Sequence, residues 1–71
     1  MKLWSIWQEG YVTMEHSEGA KFINTVEAET FKEACIKQFD NDPYFRTDNL
    51  TPTWWGCRLF DNEIDARKVF G

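Results

Sequence analysis

The segment of residues 54–60, with the sequence WWGCRLF, constrains the possible folds more than any other part of the chain. Successive side chains of a strand point to opposite faces, so a strand here would present large groups on both sides. One face would hold Trp55, Cys57 and Leu59, and the other would hold Trp54, Arg58 and Phe60. Because both faces have apolar groups to bury, this strand predicts a sheet with further structure packed on it.

A short helix is expected directly after this strand. Asp61 or Asn62 can accept hydrogen bonds from the first free N–H groups, as N-cap residues do. The charges that follow suit the helix dipole, with acidic groups near its positive end and basic groups near its negative end. These charges are Glu63, Asp65, Arg67 and Lys68. The sequence therefore predicts a strand-to-helix junction near residue 61.

Two strands are predicted before the central helix. Residues 3–14 are rich in β-branched and aromatic types, which favour a strand, and Gly10 is expected to break or bulge it. A turn is expected at residues 16–19 and the second strand at residues 21–29. Alternation along the second strand places Phe22, Asn24, Val26 and Ala28 on one face and Ile23, Thr25 and Glu27 on the other. The two strands are expected to pair as a hairpin.

A helix is predicted to begin at Thr30, because residues 30–33 read TFKE, the S/T-x-x-E pattern of a capping box. An apolar stripe at helical spacing follows and comprises Phe31, Ala34, Cys35, Gln38 and Phe39. Pro43 ends the helical region, since its ring restricts the preceding residue and it has no N–H to donate. A helix with one apolar stripe needs a sheet to lie on.

The predicted order is strand, strand, helix, strand, helix, which indicates an α+β fold in a single small domain over residues 1–71. We expect a three-stranded, antiparallel-type sheet with the main helix packed on one face and a short C-terminal helix. Residues 43–53 are predicted to be irregular. The sheet face not covered by the helix is expected to carry Trp4 or Trp7, together with Ile23 and Trp54, and an open apolar face usually marks a partner.

Size, charge and cysteine content limit the classes of function. A chain of 71 residues buries only about 60% of the surface that its unfolded state exposes, and its 17% aromatic content compensates. Two cysteines and no signal-peptide pattern indicate reduced thiols and a cytoplasmic protein. No apolar run is long enough to span a membrane. The formal net charge of −4 argues against unspecific attraction to nucleic acid.

No catalytic, cofactor or metal site is predicted. His16 is the sole histidine and falls in a predicted turn, so no nucleophile and base can be paired and a zinc site lacks ligands. Cys35 and Cys57 are expected on inner faces, where core packing is favoured over a disulfide or redox pair. The sequence identifies no reaction, and we expect a protein that is not an enzyme.

Three segments carry a resemblance to a known family. They are WQEGY at residues 7–11, AETFKEAC at residues 28–35, and the ending WGCRLFDNE-x-DARK-x-FG at residues 55–71. Together they resemble a family of small bacterial and phage-borne proteins of unknown function whose C-termini share this ending. The resemblance covers most of the chain and implies a bacterial or phage-associated origin, but no activity.

The leading functional hypothesis is a non-enzymatic protein-interaction or self-association module, because the chain has more tryptophan than so small a core can obviously hide. The partner-binding residues are predicted to be Trp54, Arg58, Trp4 and Trp7, and the occupant is a protein partner or a second copy. One alternative is an acidic inhibitor, encoded by a mobile element, of a host defence or regulatory protein. Another is a single-stranded nucleic-acid binder, in which exposed rings stack on bases.

Overall fold

A computed structural model describes residues 1–47 and 51–68, and the architecture of these residues is α+β. The strands are β1 (Lys2–Gln8), β2 (Tyr11–Val12), β3 (Ser17–Glu18), β4 (Lys21–Ala28), β5 (Phe45–Arg46), β6 (Thr53–Trp54) and β7 (Cys57–Phe60). The helices are α1 (Phe31–Gln38) and α2 (Glu63–Ala66). The predicted α+β class with two helices is therefore confirmed.

The sheet is larger than predicted. Within the described residues, five strands form one antiparallel sheet in the order β4-β1-β7-β6-β5, while β2 and β3 form a separate hairpin. The prediction of a three-stranded sheet was wrong because β5 lies in the segment predicted to be irregular and β6 was merged with β7. Strands of two residues are too short to show alternation, so only their pairing with neighbours defines them.

A tight turn divides the segment that was predicted to be one strand. Trp55 and Gly56 both have positive φ, 56° and 77°, and they connect β6 to β7 in a two-residue hairpin loop of type I′. Trp54 consequently pairs with Cys57 and lies on the same sheet face as Leu59. The prediction that Trp54 shares a face with Arg58 was wrong, because alternation does not continue through a turn.

Helix α1 covers one face of the sheet and is capped as predicted. The Oγ1 atom of Thr30 accepts a hydrogen bond from the N–H of Glu33 at 3.2 Å, which satisfies one of the free donors at the helix start. The core between helix and sheet is formed by Ile6, Ala28, Ala34, Cys35, Phe39 and Leu59. We call the opposite side of the sheet the outer face; its main apolar residues are Leu3, Trp7, Phe22 and Phe60.

A β-bulge changes which residues of β4 reach the outer face. Ile6 pairs with Asn24 and Trp7 pairs with Phe22, which leaves Ile23 without a partner in β1. Ile23 packs against the core, whereas Phe22 contacts Trp7 and is 49% exposed. The predicted faces of Phe22 and Ile23 were therefore wrong, because one extra residue in a strand reverses the alternation beyond it.

The hairpin of β2 and β3 folds back beside the sheet. Its turn lies at residues 13–16, not at 16–19 as predicted, and Thr13 Oγ1 exchanges hydrogen bonds with the backbone of His16 at 2.9 and 3.0 Å. Gly10 lets the two ends of the hairpin approach each other closely, since a Cβ atom there would lie 2.4 Å from the carbonyl oxygen of Glu18 in β3. The predicted break of the first strand at Gly10 is confirmed.

Helix α2 follows β7 as predicted. Asn62, one of the two predicted caps, accepts a hydrogen bond from the N–H of Asp65 at 2.8 Å. Glu63 and Arg67 form an ion pair at 2.6 Å, four residues apart on the helix. The last residues of the ending that carries the family resemblance, 69–71, lie outside the described residues.

Candidate functional site

An aromatic row crosses three strands on the outer face of the sheet. Trp7 of β1 lies opposite Phe22 of β4 on one side and opposite Phe60 of β7 on the other. The rings of Trp7 and Phe22 meet edge to face, with centroids 5.3 Å apart. Leu3, on the same side of β1, is 72% exposed. We refer to Phe22, Trp7 and Phe60 as the aromatic row.

An ion pair holds the β7 end of the aromatic row. The guanidinium of Arg58 lies 5.4 Å from the centre of the Phe60 ring and donates hydrogen bonds to both carboxylate oxygens of Glu9 at 3.1–3.2 Å. The same carboxylate accepts the backbone N–H of Arg58 at 2.7 Å. The hydrogen bond to Glu9, and then the charge of Glu9, raise the pKa of Arg58. Arg58 is thus fixed over Phe60 and does not stack on Trp54.

Trp54 and Trp4, two of the predicted partner-binding residues, lie on the helix side of the sheet. Trp54 stacks on Phe39 at 4.8 Å, and its Nε1–H donates to Oδ2 of Asp42 at 3.0 Å. The Nε1–H of Trp4 donates to the carbonyl oxygen of Ala28 at 3.0 Å. Both rings pack against the core cluster. Of the four predicted residues, the structure brings only Trp7 and Arg58 together on the outer face.

A second feature, a cleft of about 590 Å³, lies between the β2–β3 hairpin and the Trp55–Gly56 turn. It occupies the helix side of the sheet, but no residue of α1 lines it. Its lining residues are Gln8, Tyr11, Thr13, Lys21, Trp54, Trp55, Gly56 and Cys57. Trp55 is 58% exposed, and its ring stacks on Tyr44 with centroids 3.7 Å apart and planes 13° from parallel.

Sequence reasoning did not name Phe22, Phe60 or Trp55 as partner-binding residues, although it placed Phe60 correctly on the same face as Arg58. Because of the bulge, alternation along the sequence places Phe22 on the wrong face of the sheet. Trp55 was assigned to a continuous strand, although the following Gly56 is a signal for a hairpin turn with positive φ. Asn or Asp usually precedes the glycine of such a turn, so tryptophan in that position did not suggest one.

The two cysteines are free thiols of low reactivity. Burial raises the pKa of Cys35 to about 12. Burial, and then the charge of Glu9, raise the pKa of Cys57. Since the thiolate is the nucleophilic form, neither environment activates its sulfur. Among the described residues, no three His, Cys, Asp or Glu side chains are grouped closely enough to hold a metal ion.

The comparisons with known proteins add no assignment. No family model, no curated protein and no solved structure was found to match the chain. None of the helices in residues 1–47 and 51–68 has the length and apolar character needed to cross a membrane.

Proposed function

We propose that this protein is a non-enzymatic self-association module in which two copies pack through the outer faces of their sheets. The observation that carries the proposal is the aromatic row, which places three large rings side by side on the face opposite α1, with Phe22 exposed and Trp7 and Phe60 half-buried. Phe22 is 49% exposed and Leu3 is 72% exposed. Sheets that pack face to face bury their apolar side chains in such an arrangement.

The small core of a single copy supports a second copy as the occupant. Among the described hydrophobic residues only seven are buried, and three of these are alanines. Ten large hydrophobic side chains in the same part of the chain are at least 36% exposed. Chains of this size commonly need a disulfide, a metal or an oligomer to add to a limited core. Two of the ten, Leu3 and Phe22, lie on the outer face, where self-association would add to the burial.

The charges of the outer face also suit a second copy. Arg58 is paired with Glu9, and the next outward-facing pair along β1 and β4 is the neutral Ser5 and Thr25. Glu27 on β4 and Arg46 on β5, at the two margins of this face, form no ion pair within the described residues. Two molecules of net charge −4 repel each other, but a face with few unpaired charges adds little to this repulsion.

The face is favoured over the edge of the sheet as the contact. The edge strand β4 contains the bulge at Ile23, which disturbs pairing with another strand. Lys37 of α1 donates from Nζ to the carbonyl oxygen of Glu27 at 2.9 Å and so occupies one acceptor of β4. Bulges and lysines are the usual means by which proteins prevent edge pairing. A standard interface buries about 800 Å² on each partner, so the contact must extend beyond the row over the whole face.

Sedimentation equilibrium over a wide range of protein concentration tests the proposal. We expect the wild-type mass to rise from that of one chain to that of two, and Phe22→Thr to shift this transition to higher concentration. Threonine keeps strand propensity while removing the ring. Val12→Thr is the matched control, because Val12 is 59% exposed but belongs to the separate hairpin. A wild type that stays monomeric, or a dimer that Phe22→Thr and Trp7→Thr leave unchanged, would refute the proposal.

A further inference from the structure

We propose that the cleft between the β2–β3 hairpin and the Trp55–Gly56 turn is a binding site for a small ligand that combines a flat aromatic ring with an anionic group. The ring would stack on Trp55, and a carboxylate or phosphate would pair with Lys21. This site is on the helix side of the sheet, so it is separate from the outer face and does not depend on self-association.

The dimensions and composition of the cleft suit such a ligand. Its volume of about 590 Å³ lies within the range of roughly 300–1,000 Å³ typical of small-molecule sites. Such sites combine apolar or aromatic walls with a few polar groups. Here Trp55 and Tyr11 supply aromatic walls, while Lys21 and Gln8 supply the polar groups.

The backbone of Trp55 has a left-handed conformation that is unfavourable for tryptophan. Its φ of 56° is in the left-handed region, which costs an ordinary residue about 1–2 kcal/mol and which glycine or asparagine adopts with less strain. The N–H of Trp55 donates to the carbonyl oxygen of Tyr44 at 3.2 Å, and the Tyr44 ring supports the indole. Tyr44 covers one face of the indole and does not line the cleft, so in the proposal a ligand ring would use the other face. The arrangement displays a rigid aromatic surface at the cleft wall, and strained residues of this kind concentrate at functional sites.

The cleft is lined by one cationic side chain, although the protein is acidic. Acidic residues outnumber basic ones by 12 to 8 in the chain, yet the lining contains Lys21 and no carboxylate. A small neighbouring pocket, which Lys21 also lines, contains two acids, Glu9 and Glu18. Glu9 pairs with Arg58, and Glu18 contacts Nε2 of His16 at 2.9 Å. Lys21 has no ion pair within the described residues. An ammonium beside an aromatic wall favours an anion through a charge-assisted hydrogen bond.

Gln8 provides an acceptor on the same wall. Its side chain is buried, and Nε2 donates to the carbonyl oxygen of Trp54 at 3.1 Å. The Oε1 atom accepts no hydrogen bond from the described residues. It is nevertheless accessible to solvent, since no buried side-chain oxygen or nitrogen among these residues lacks a partner. Gln8 lines this cleft and the small neighbouring pocket, and in the proposal Oε1 accepts a bond from a ring N–H or amino group of the ligand.

Two matched pairs of probes test the site and distinguish the source of the anion. Indole-3-carboxylate is compared with indole-3-carboxamide, and adenosine 5′-monophosphate with adenosine, by calorimetry and by following the indole N–H signals in NMR spectra. At least one anionic probe is expected to shift the Trp55 signal and to bind about tenfold more tightly than its neutral counterpart, the difference expected for one bond to a charged group. Binding of indole-3-carboxylate alone assigns a carboxylate ligand, and binding of adenosine 5′-monophosphate alone assigns a phosphate ligand. If neither binds, the proposal is overturned.

Two variants and a control locate the binding. Trp55→Asn keeps a residue suited to positive φ, so the turn should remain folded while affinity falls about tenfold or more through loss of stacking. Lys21→Gln should remove the preference for the anionic probe. Lys32→Gln, on the exposed side of α1, removes the same charge at a distance and should have no effect. A folded Trp55→Asn that binds as the wild type does, or equal losses in Lys21→Gln and Lys32→Gln, would overturn the proposal. Self-association should persist in Trp55→Asn. Sedimentation of this variant therefore distinguishes a failure of the binding site from a failure of self-association.

Discussion

Replacing Gly10 with alanine should destabilise the fold through a clash between backbone segments. A Cβ atom at Gly10 would lie 2.4 Å from the carbonyl oxygen of Glu18 and 3.0 Å from the carbonyl carbon of Gly19. These atoms belong to the backbone and cannot rotate away, so the two ends of the β2–β3 hairpin must move apart. Extra atoms forced into a packed region typically cost about 1–3 kcal/mol. For a chain of this size, about 1 kcal/mol lowers Tm by roughly 4–8 °C.

Gly56 is the matched control, because a substitution there is unfavourable for a different reason. A Cβ atom at Gly56 meets no atom within 4 Å, but its φ of 77° disfavours residues other than glycine. Asparagine tolerates positive φ better than alanine. Gly56→Asn should therefore be more stable than Gly56→Ala, whereas Gly10→Asn should be no more stable than Gly10→Ala.

Thermal unfolding followed by circular dichroism, at one fixed protein concentration, measures these differences. The fixed concentration is needed because self-association would make Tm depend on it. Amide NMR shifts of residues 11–20 in Gly10→Ala should change together if the hairpin moves. Ordinary surface substitutions change the free energy of unfolding by up to about 0.5 kcal/mol. If Gly10→Ala stays within this range of the wild type and its hairpin shifts are unchanged, the steric argument is refuted.

Three further predictions concern the helices and the thiols. Thr30→Ala should lower the free energy of unfolding by about 1 kcal/mol through loss of the cap of α1, and Thr30→Ser should retain most of it; denaturant unfolding measures both. The pKa of Asp65 is lowered first by its hydrogen bond from Asn62. The stabilising contribution of Asp65 is therefore present above its unfolded pKa and is lost as the pH falls through its folded pKa. An NMR titration of Asn62→Ala should show a higher pKa for Asp65, and an unchanged value would contradict this. A thiol reagent should modify Cys57 before Cys35, which is fully buried and has a pKa of about 12; equal rates in the folded protein would contradict the burial of Cys35.

The elements that could be predicted are those defined by neighbouring residues. The start of α1 at Thr30, its inner residues Ala34 and Cys35, and the cap of α2 at Asn62 all depend on groups within four residues of one another. A cap or an apolar stripe is determined by the geometry of one helix, whatever lies around it. These predictions therefore hold without knowledge of the sheet.

The candidate site residues were predicted only in part, because their positions depend on register. Trp7 lies on the outer face as alternation from Ile6 requires. Phe22 joins it only because of the bulge in β4, and Trp54 leaves it because of the turn that follows. A change of one residue in register exchanges the two faces of a strand.

The sequence by itself determined the α+β class, the central helix with its cap and inner stripe, and the surplus of aromatic side chains. Only the tertiary structure decided which rings are enclosed and which are displayed, placing Trp54 against Phe39 and leaving Trp55 at the cleft. Local rules fix φ and ψ over a few residues. The face that a ring occupies depends instead on bulges, tight turns and strand pairing, which are set by contacts between residues far apart in the chain.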